Sequence, residues 1–354
     1  MKKKIHKKIC LLGYGYASLI AYHKLLERYN ASDIVILKKS SRNHFLTIQH
    51  HEIEFSPLPI FPVLESELYL SDLFKNIPKQ KPIRVRYTDV ANFDFREHTI
   101  GENSLADFMI SNESINKWLC LGLKQWSEKM LTKPYKQVRS KIERHYLSKN
   151  KATRIGYING LSLFNLAIQK IEPNIIQYSD IEKIDYLKKE VITNEIIINY
   201  DHLISTIHLP ELLSLCQKPS AYNFESIPAY FFYYTFDGEM EENEVVYDCD
   251  YNSSILRCIS VTDSLLLVQL QAHKYGEVQE KAIQLRIKEI VPEIKELKYL
   301  RDLYAPTSYP TENIEDETTL ENIAILKENN ILPFGRFGQW EYSDLHEIEW
   351  CSLP

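Results

Sequence analysis

The stretch ICLLGYGYAS, residues Ile9–Ser18, decides the fold that we expect for this chain. An apolar run leads directly into Gly13 and Gly15, and the hydrophobic period then becomes helical. A buried strand, a glycine turn and a helix in this order are typical of dinucleotide-binding units. Gly13 permits a tight turn, and Gly15 permits a diphosphate to approach the positive end of the helix. Ser18 stands in the place of the third glycine and is small enough to lie near the strand.

The segment that follows the second predicted strand, 33–37, is basic. A dinucleotide site usually has an acidic residue at the end of this strand, where it binds the ribose hydroxyls. This chain has Lys38 and Lys39 there, followed by Arg42. Two interpretations stay open: a pocket that accepts or prefers a 2′-phosphate, as in NADP(H), and a solvated loop. A glycine turn that binds nothing is the remaining alternative for the unit as a whole.

Composition restricts the class of protein. The chain has 354 residues, of which 44% are hydrophobic and 25% charged, enough for one large or two medium domains. A formal net charge of -6 argues against nucleic acid as a general partner. The six cysteines form no C-x-x-C pair, which favours reduced thiols in a cytoplasmic protein and no metal site. The basic, then apolar start imitates a secretory signal, but glycines and tyrosines interrupt it, and no apolar run spans a membrane.

Later segments extend the α/β pattern. We predict a hairpin between Ile184 and Ile198, then a strand that ends on Ser205 and Thr206, where a chain can pass close to a bound nucleotide. Residues 228–271 are rich in predicted strands, and residues 312–330 are acidic and predicted to be helical.

The segment Gly335–Tyr342, reading GRFGQWEY, resembles the C-terminal flavin-contacting segment of UDP-galactopyranose mutases and their relatives in the amine-oxidase-like FAD-dependent superfamily. The order of other landmarks also resembles that family: the N-terminal glycine turn, the turn at 156–160, the stretch LISTIHLP at 203–210, and Tyr247 followed by Arg257. An acidic residue at position 38 and paired glycines within 41–45 are family features that this chain lacks.

The resemblance implies a set of site residues. The expected cofactor-binding residues, for FAD or alternatively NADP(H), are Gly13, Gly15, Tyr16, Ala17, Ser18, Lys38, Lys39, Ser205, Thr206, Gly335, Arg336, Phe337 and Leu345. The expected substrate-binding residues are Arg257, Tyr247, Arg336 and Tyr342. Arginine and tyrosine suit this role because a guanidinium binds a diphosphate bidentately and phenol hydroxyls complete the contacts. No catalytic residue is assigned.

We therefore expect an α/β fold with a Rossmann-like FAD/NAD(P)-binding domain and an inserted substrate domain of mixed β-sheet and helices. The nucleotide-binding domain is predicted to be discontinuous, comprising residues 1–62, 156–215 and 320–354. The substrate or cap domain is predicted to comprise residues 63–155 and 216–319.

Three functional hypotheses follow. The first is a flavin-dependent oxidoreductase or mutase-like isomerase acting on a small molecule, such as a nucleotide sugar or an amine. The second is an NADP(H)- or nucleotide-binding protein on the same fold without flavin chemistry. The third is a catalytically inactive binding or assembly partner. The expected partner is a small-molecule substrate, with a homo-oligomer as one compatible assembly.

Overall fold

The computed structural model describes residues 2–39, 48–50, 53–55, 60–64, 83–88, 98–100, 155–240, 244–250, 252–271, 280–310, 314–341, 343 and 352–354. Within these ranges the strands form two seven-stranded sheets and two strand pairs. This confirms the predicted α/β fold class. The first sheet is mixed, as in a Rossmann-like domain, and the second is largely antiparallel.

The described ranges contain eighteen strands and six α-helices. The strands are β1 Lys3–Leu12, β2 Ile34–Lys38, β3 Ile48–His50, β4 Ile53–Phe55, β5 Ile60–Leu64, β6 Ile83–Thr88, β7 His98–Ile100, β8 Ile155–Asn159, β9 Ile176–Tyr178, β10 Ile181–Asp185, β11 Glu190–Thr193, β12 Ile196–Ser205, β13 Ser226–Gly238, β14 Val245–Asp248, β15 Ile255–Ser260, β16 Leu265–Gln271, β17 Ile294–Pro310 and β18 Ile331–Pro333. The helices are α1 Tyr16–Leu25, α2 Gly160–Gln169, α3 Leu209–Leu215, α4 Glu280–Ile290, α5 Glu317–Glu328 and α6 Gly335–Gly338.

The first sheet has the strand order β10-β11-β12-β1-β2-β9, and β18 also pairs with β12. Strand β1 lies between β12 and β2 and is parallel to both. Its last four residues, Ile9 to Leu12, are fully buried because helices cover both faces of the sheet. Helices α1 and α2 pack on one face, while residues of α3, together with Leu326 of α5, pack on the other.

The second sheet has the order β17-β13-β16-β15-β14-β6-β7. Its two faces differ in chemistry. Alternate residues of β13 and β16, such as Phe232 and Val268, pack with helix α4 in an apolar cluster. The opposite face of β16 carries Gln269 and Gln271, both buried. Because buried amides need hydrogen-bond partners, this second face is where a polar site is expected.

Several predicted elements differ in detail from the structure. The predicted hairpin between Ile184 and Ile198 belongs to a three-stranded antiparallel meander, β10-β11-β12. The acidic helix predicted over 312–330 is α5, Glu317–Glu328, which Asp316 caps by accepting the Thr319 backbone N–H at 2.7 Å. The 17-residue strand β17 was not predicted.

None of the helices in the described ranges has the length and hydrophobicity that crossing a bilayer requires.

Candidate functional site

The glycine turn after β1 has the geometry that its sequence demands. Gly13 has φ +110°, in the region that favours glycine, and its N–H donates to the Leu37 carbonyl at 3.0 Å. A β-carbon at this position would lie 2.3 Å from Thr206 Oγ1. Gly15 precedes the first residue of α1, and no side chain caps that end of the helix. The first N–H groups of α1 lack partners within the helix and form the kind of end that binds an anion.

Ser18 replaces the third glycine without leaving its hydroxyl unsatisfied. The side chain is fully buried, and its Oγ lies 3.2 Å from Thr206 Oγ1. The Thr206 hydroxyl in turn donates to the Leu12 carbonyl at 3.0 Å. A hydroxyl pair therefore links the first turn of α1 to the end of β12. The remaining expected residues of the turn are packed: Tyr16 is buried in the core and Ala17 is partly buried against it.

The carboxyl end of β12 receives the C-terminal segment. The Ser205 carbonyl accepts the Phe334 N–H at 2.8 Å, and a β-carbon on Gly338 would lie 2.4 Å from the same oxygen. Gly335 has φ +73° and begins the short helix α6. The structure thus brings the glycine turn, the end of β12 and the Gly335–Gly338 helix to one edge of the first sheet. The Ser205 hydroxyl is fully buried and has no hydrogen-bond partner among the described residues.

Two residues of the C-terminal segment face different neighbours. The guanidinium of Arg336 lies 5.8 Å from the centroid of the Tyr309 ring, and its Nε donates to the Ser343 carbonyl at 2.8 Å. Phe337 is partly buried, with its ring 5.0 Å from that of His208. Tyr342 and Leu345, which were also expected in the site, lie outside the described residues.

The polar face of the second sheet carries the other expected arginine. Tyr247 and Arg257 are opposite each other on β14 and β15, and Arg257 is opposite Gln269 on β16. Directly opposed residues of an antiparallel pair point to the same face. Arg257 Nε donates to Gln269 Oε1 at 2.8 Å, and Gln269 Nε2 donates to the Tyr309 hydroxyl at 2.7 Å.

These contacts connect the two predicted substrate arginines. The chain of neighbours runs from Arg257 through Gln269 and Tyr309 to Arg336. It joins the polar face of the second sheet to the C-terminal segment that packs on the first sheet. Sequence reasoning missed Gln269 and Tyr309; the strand register reveals the first, and its hydrogen bond reveals the second.

A second group on this face was also missed. Tyr233 of β13 is opposite Arg301 of β17, and the tyrosine is fully buried. Burial raises the pKa of Tyr233, Arg301 opposes that rise, and Tyr16 adds to it.

The end of β2 presents a cation. Lys38 is partly buried, and its ammonium lies 4.9 Å from the centroid of the Tyr14 ring, within the glycine turn. Burial lowers the pKa of Lys38. Lys39 is exposed and forms an ion pair of 3.4 Å with Glu211 of α3. Ser40 to Arg42, the rest of the basic segment, lie outside the described residues.

The described residues therefore fit one half of a dinucleotide better than the other. The turn at Gly13–Ser18 and the uncapped start of α1 suit a diphosphate. At the ribose end, Lys38 supplies donors but no acceptor for ribose hydroxyls. No group of three or more His, Cys, Asp or Glu side chains in the described part of the chain could hold a metal ion.

Comparison with known proteins shows the fold. No protein-family model and no curated protein sequence matches the chain. The crystal structure of reduced UDP-galactopyranose mutase is similar, with a TM-score of 0.64 and 13% identity over 95% of this chain and 91% of that one.

Two further solved structures share this fold. A fatty acid isomerase from P. acnes has a TM-score of 0.58 and 11% identity over 94% of each chain. A putrescine oxidase double mutant has a TM-score of 0.55 and 10% identity over 87% of this chain and 88% of that one. The resemblance predicted from the glycine turn and the C-terminal segment is thus confirmed for the fold, which this chain shares with these enzymes.

Proposed function

We propose that this protein is a flavin-dependent enzyme, of the oxidoreductase or mutase kind, whose small-molecule substrate carries a phosphate or diphosphate group. The observation that carries this proposal is the chain of contacts from Arg257 through Gln269 and Tyr309 to Arg336. It directs guanidinium groups from two parts of the fold towards one place, beside the edge where the glycine turn lies.

The arginines are held in ways that suit recognition of a planar or multidentate anion. The Nε of Arg257 is bonded to Gln269, and the Nε of Arg336 is bonded to the Ser343 carbonyl. Each bond fixes the plane of a guanidinium, so that less conformational entropy is lost when its Nη edge binds a ligand. Two arginines linked through Gln269 and Tyr309 supply the positive charge that recognition of a diphosphate requires.

Cofactor binding would use the edge of the first sheet. The backbone of the Gly13–Ser18 turn would bind the FAD diphosphate, and Ser205, Thr206 and the Gly335–Phe337 backbone would lie along the cofactor. A bound flavin supplies the redox or covalent chemistry, while the protein positions the substrate and excludes water. Among the similar structures, the mutase is named for a UDP-sugar, whose diphosphate fits two arginines better than an amine or a fatty acid would.

The first experiment is a visible absorption spectrum of freshly purified protein. We expect the bands of oxidised flavin, either at once or after incubation with FAD, because the diphosphate half of the site is intact. A colourless protein that takes up no added FAD would contradict the proposal. Thermal shifts with FAD, NADPH and UDP-sugars would then test the NADP(H)-dependent alternative and the inactive binding partner, since a ligand of the folded state raises its apparent stability.

The second experiment tests the arginines. Arg257→Lys and Arg336→Lys keep the positive charge but lose the bidentate geometry, so each is expected to weaken UDP binding about 10-fold or more, since hydrogen bonds to charged groups contribute roughly 1.5–3 kcal/mol. Isothermal titration calorimetry with UDP measures this. Arg28→Lys is the control, because Arg28 donates to the Leu353 carbonyl at the far end of α1. Unchanged UDP affinity in both site variants would show that Arg257 and Arg336 do not bind UDP.

A further inference from the structure

Lys38 lies beside the glycine turn and is partly buried. It is the last residue of β2, and the Gly13 N–H donates to the preceding Leu37 carbonyl at 3.0 Å. Its ammonium lies 4.9 Å from the ring centroid of Tyr14, the residue between the two glycines. Tyr14 is itself buried, in edge contact with Phe164 at 6.3 Å between ring centroids. The aromatic ring therefore fixes the cation at the place where a parallel-sheet nucleotide site meets the adenosine ribose.

The chemistry of this cation disfavours an unmodified ribose. Ribose hydroxyls bound at this position donate to a carboxylate in most dinucleotide sites, whereas an ammonium can only donate. Glu211 does not take the place of that carboxylate, because its charge is already paired with Lys39 at 3.4 Å. A phosphate on the ribose offers acceptor oxygens and negative charge, and it is more favourable beside a partly desolvated cation than hydroxyls are.

We propose that the ribose end of the nucleotide site selects a phosphorylated ribose, so that adenine nucleotides with a 2′-phosphate bind there more tightly than those with free hydroxyls and compete with FAD. The inference rests on the proposed function only in that the same turn binds a dinucleotide. Lys38 is the specificity-determining residue, and the Tyr14 ring is the group that positions it.

The test compares 2′,5′-ADP with 5′-ADP by isothermal titration of the purified protein. The 2′-phosphate is expected to tighten binding about 10-fold or more, the range of a charge-assisted hydrogen bond. Lys38→Met should abolish the difference, and Lys38→Glu should reverse it. Lys8→Met is the control and should keep the preference, because the Lys8 ammonium pairs with Asp33 at 3.0 Å, before the start of β2 and away from Lys38 at its end. Where the protein is purified with bound flavin, 2′,5′-ADP should displace the flavin, detected by its fluorescence in solution, at lower concentration than 5′-ADP does.

Thermal midpoints close to that of the unmodified protein would show that the variants fold. Equal or weaker binding of 2′,5′-ADP, binding of neither nucleotide, or loss of the preference in Lys8→Met with retention in Lys38→Met would each overturn the inference. The visible spectrum separates this outcome from the proposed function. A yellow protein without the 2′-phosphate preference would support the proposed flavin-dependent function and contradict the role of Lys38. A colourless protein that takes up no FAD but has the preference would contradict the proposed function and support the role of Lys38.

Discussion

Gly338→Ala is expected to lower the free energy of unfolding by about 3 kcal/mol or more, in the range of severe steric substitutions, and to weaken FAD binding. The added β-carbon would lie 2.4 Å from the Ser205 carbonyl oxygen. This oxygen has little room to move, because it accepts the Phe334 N–H and belongs to a strand paired on both sides, with Leu12 and with Pro333. Relief of the clash must instead displace α6 from the nucleotide edge. Urea denaturation and flavin titration measure the two effects.

The second sheet offers a matched control. A β-carbon on Gly238 would lie 2.4 Å from the Glu293 carbonyl oxygen, an equally close backbone contact at the junction of β13 and β17. Gly238→Ala should therefore destabilise the protein comparably and leave the affinity of the folded protein for FAD unchanged. Equal losses of FAD affinity in both variants would show that the loss at Gly338 reflects general instability and not displacement of α6.

Gly13→Ala is expected to cost about 2–4 kcal/mol, because it combines a strained backbone with a steric clash. The position has φ +110°, and the new β-carbon would meet Thr206 Oγ1 at 2.3 Å. Thr206→Ala alone should cost about 1 kcal/mol, since it removes the hydroxyl bonds to Leu12 and Ser18. The double variant should be more stable than the sum of the single losses predicts, because one clash disappears while the strain remains.

A double-mutant cycle from urea denaturation measures this coupling. Strictly additive losses would show that Thr206 is not the obstacle. Gly15→Ala is the control for backbone strain: Gly15 has φ −96°, which alanine adopts, so its free energy of unfolding should change little.

The strand, glycine turn and helix around Gly13 were predictable from sequence because the interactions that determine them are local. A strand buried on both faces reads as a continuous apolar run, and a turn with positive φ requires glycine. The basic end of β2 was visible as well, in Lys38 and Lys39. What the sequence alone left open is the position of the Lys38 ammonium over Tyr14, since that depends on two segments folding against each other.

The polar face of the second sheet was predictable only in part. Tyr247 and Arg257 were identified through resemblance, and the structure shows them opposite each other on β14 and β15. Tyr309 and Arg301 were missed because they belong to β17, which lies at the edge of its sheet and is largely exposed or partly exposed. Its pairing with β13 shifts register at three places, so the alternation of apolar and polar residues that reveals a strand is broken.

The convergence on the end of β12 also has a consequence for biosynthesis. Residues near positions 13, 206 and 338 meet at one edge of the first sheet, although they are far apart along the chain. Contacts between such distant residues form slowly, because closing long loops costs entropy before the contacts stabilise them. On the ribosome, the glycine turn is made early but lacks its later neighbours until the segment around Gly338 emerges. The apolar β1 strand is therefore open to aggregation until β12 and the segment around Gly338 have been made.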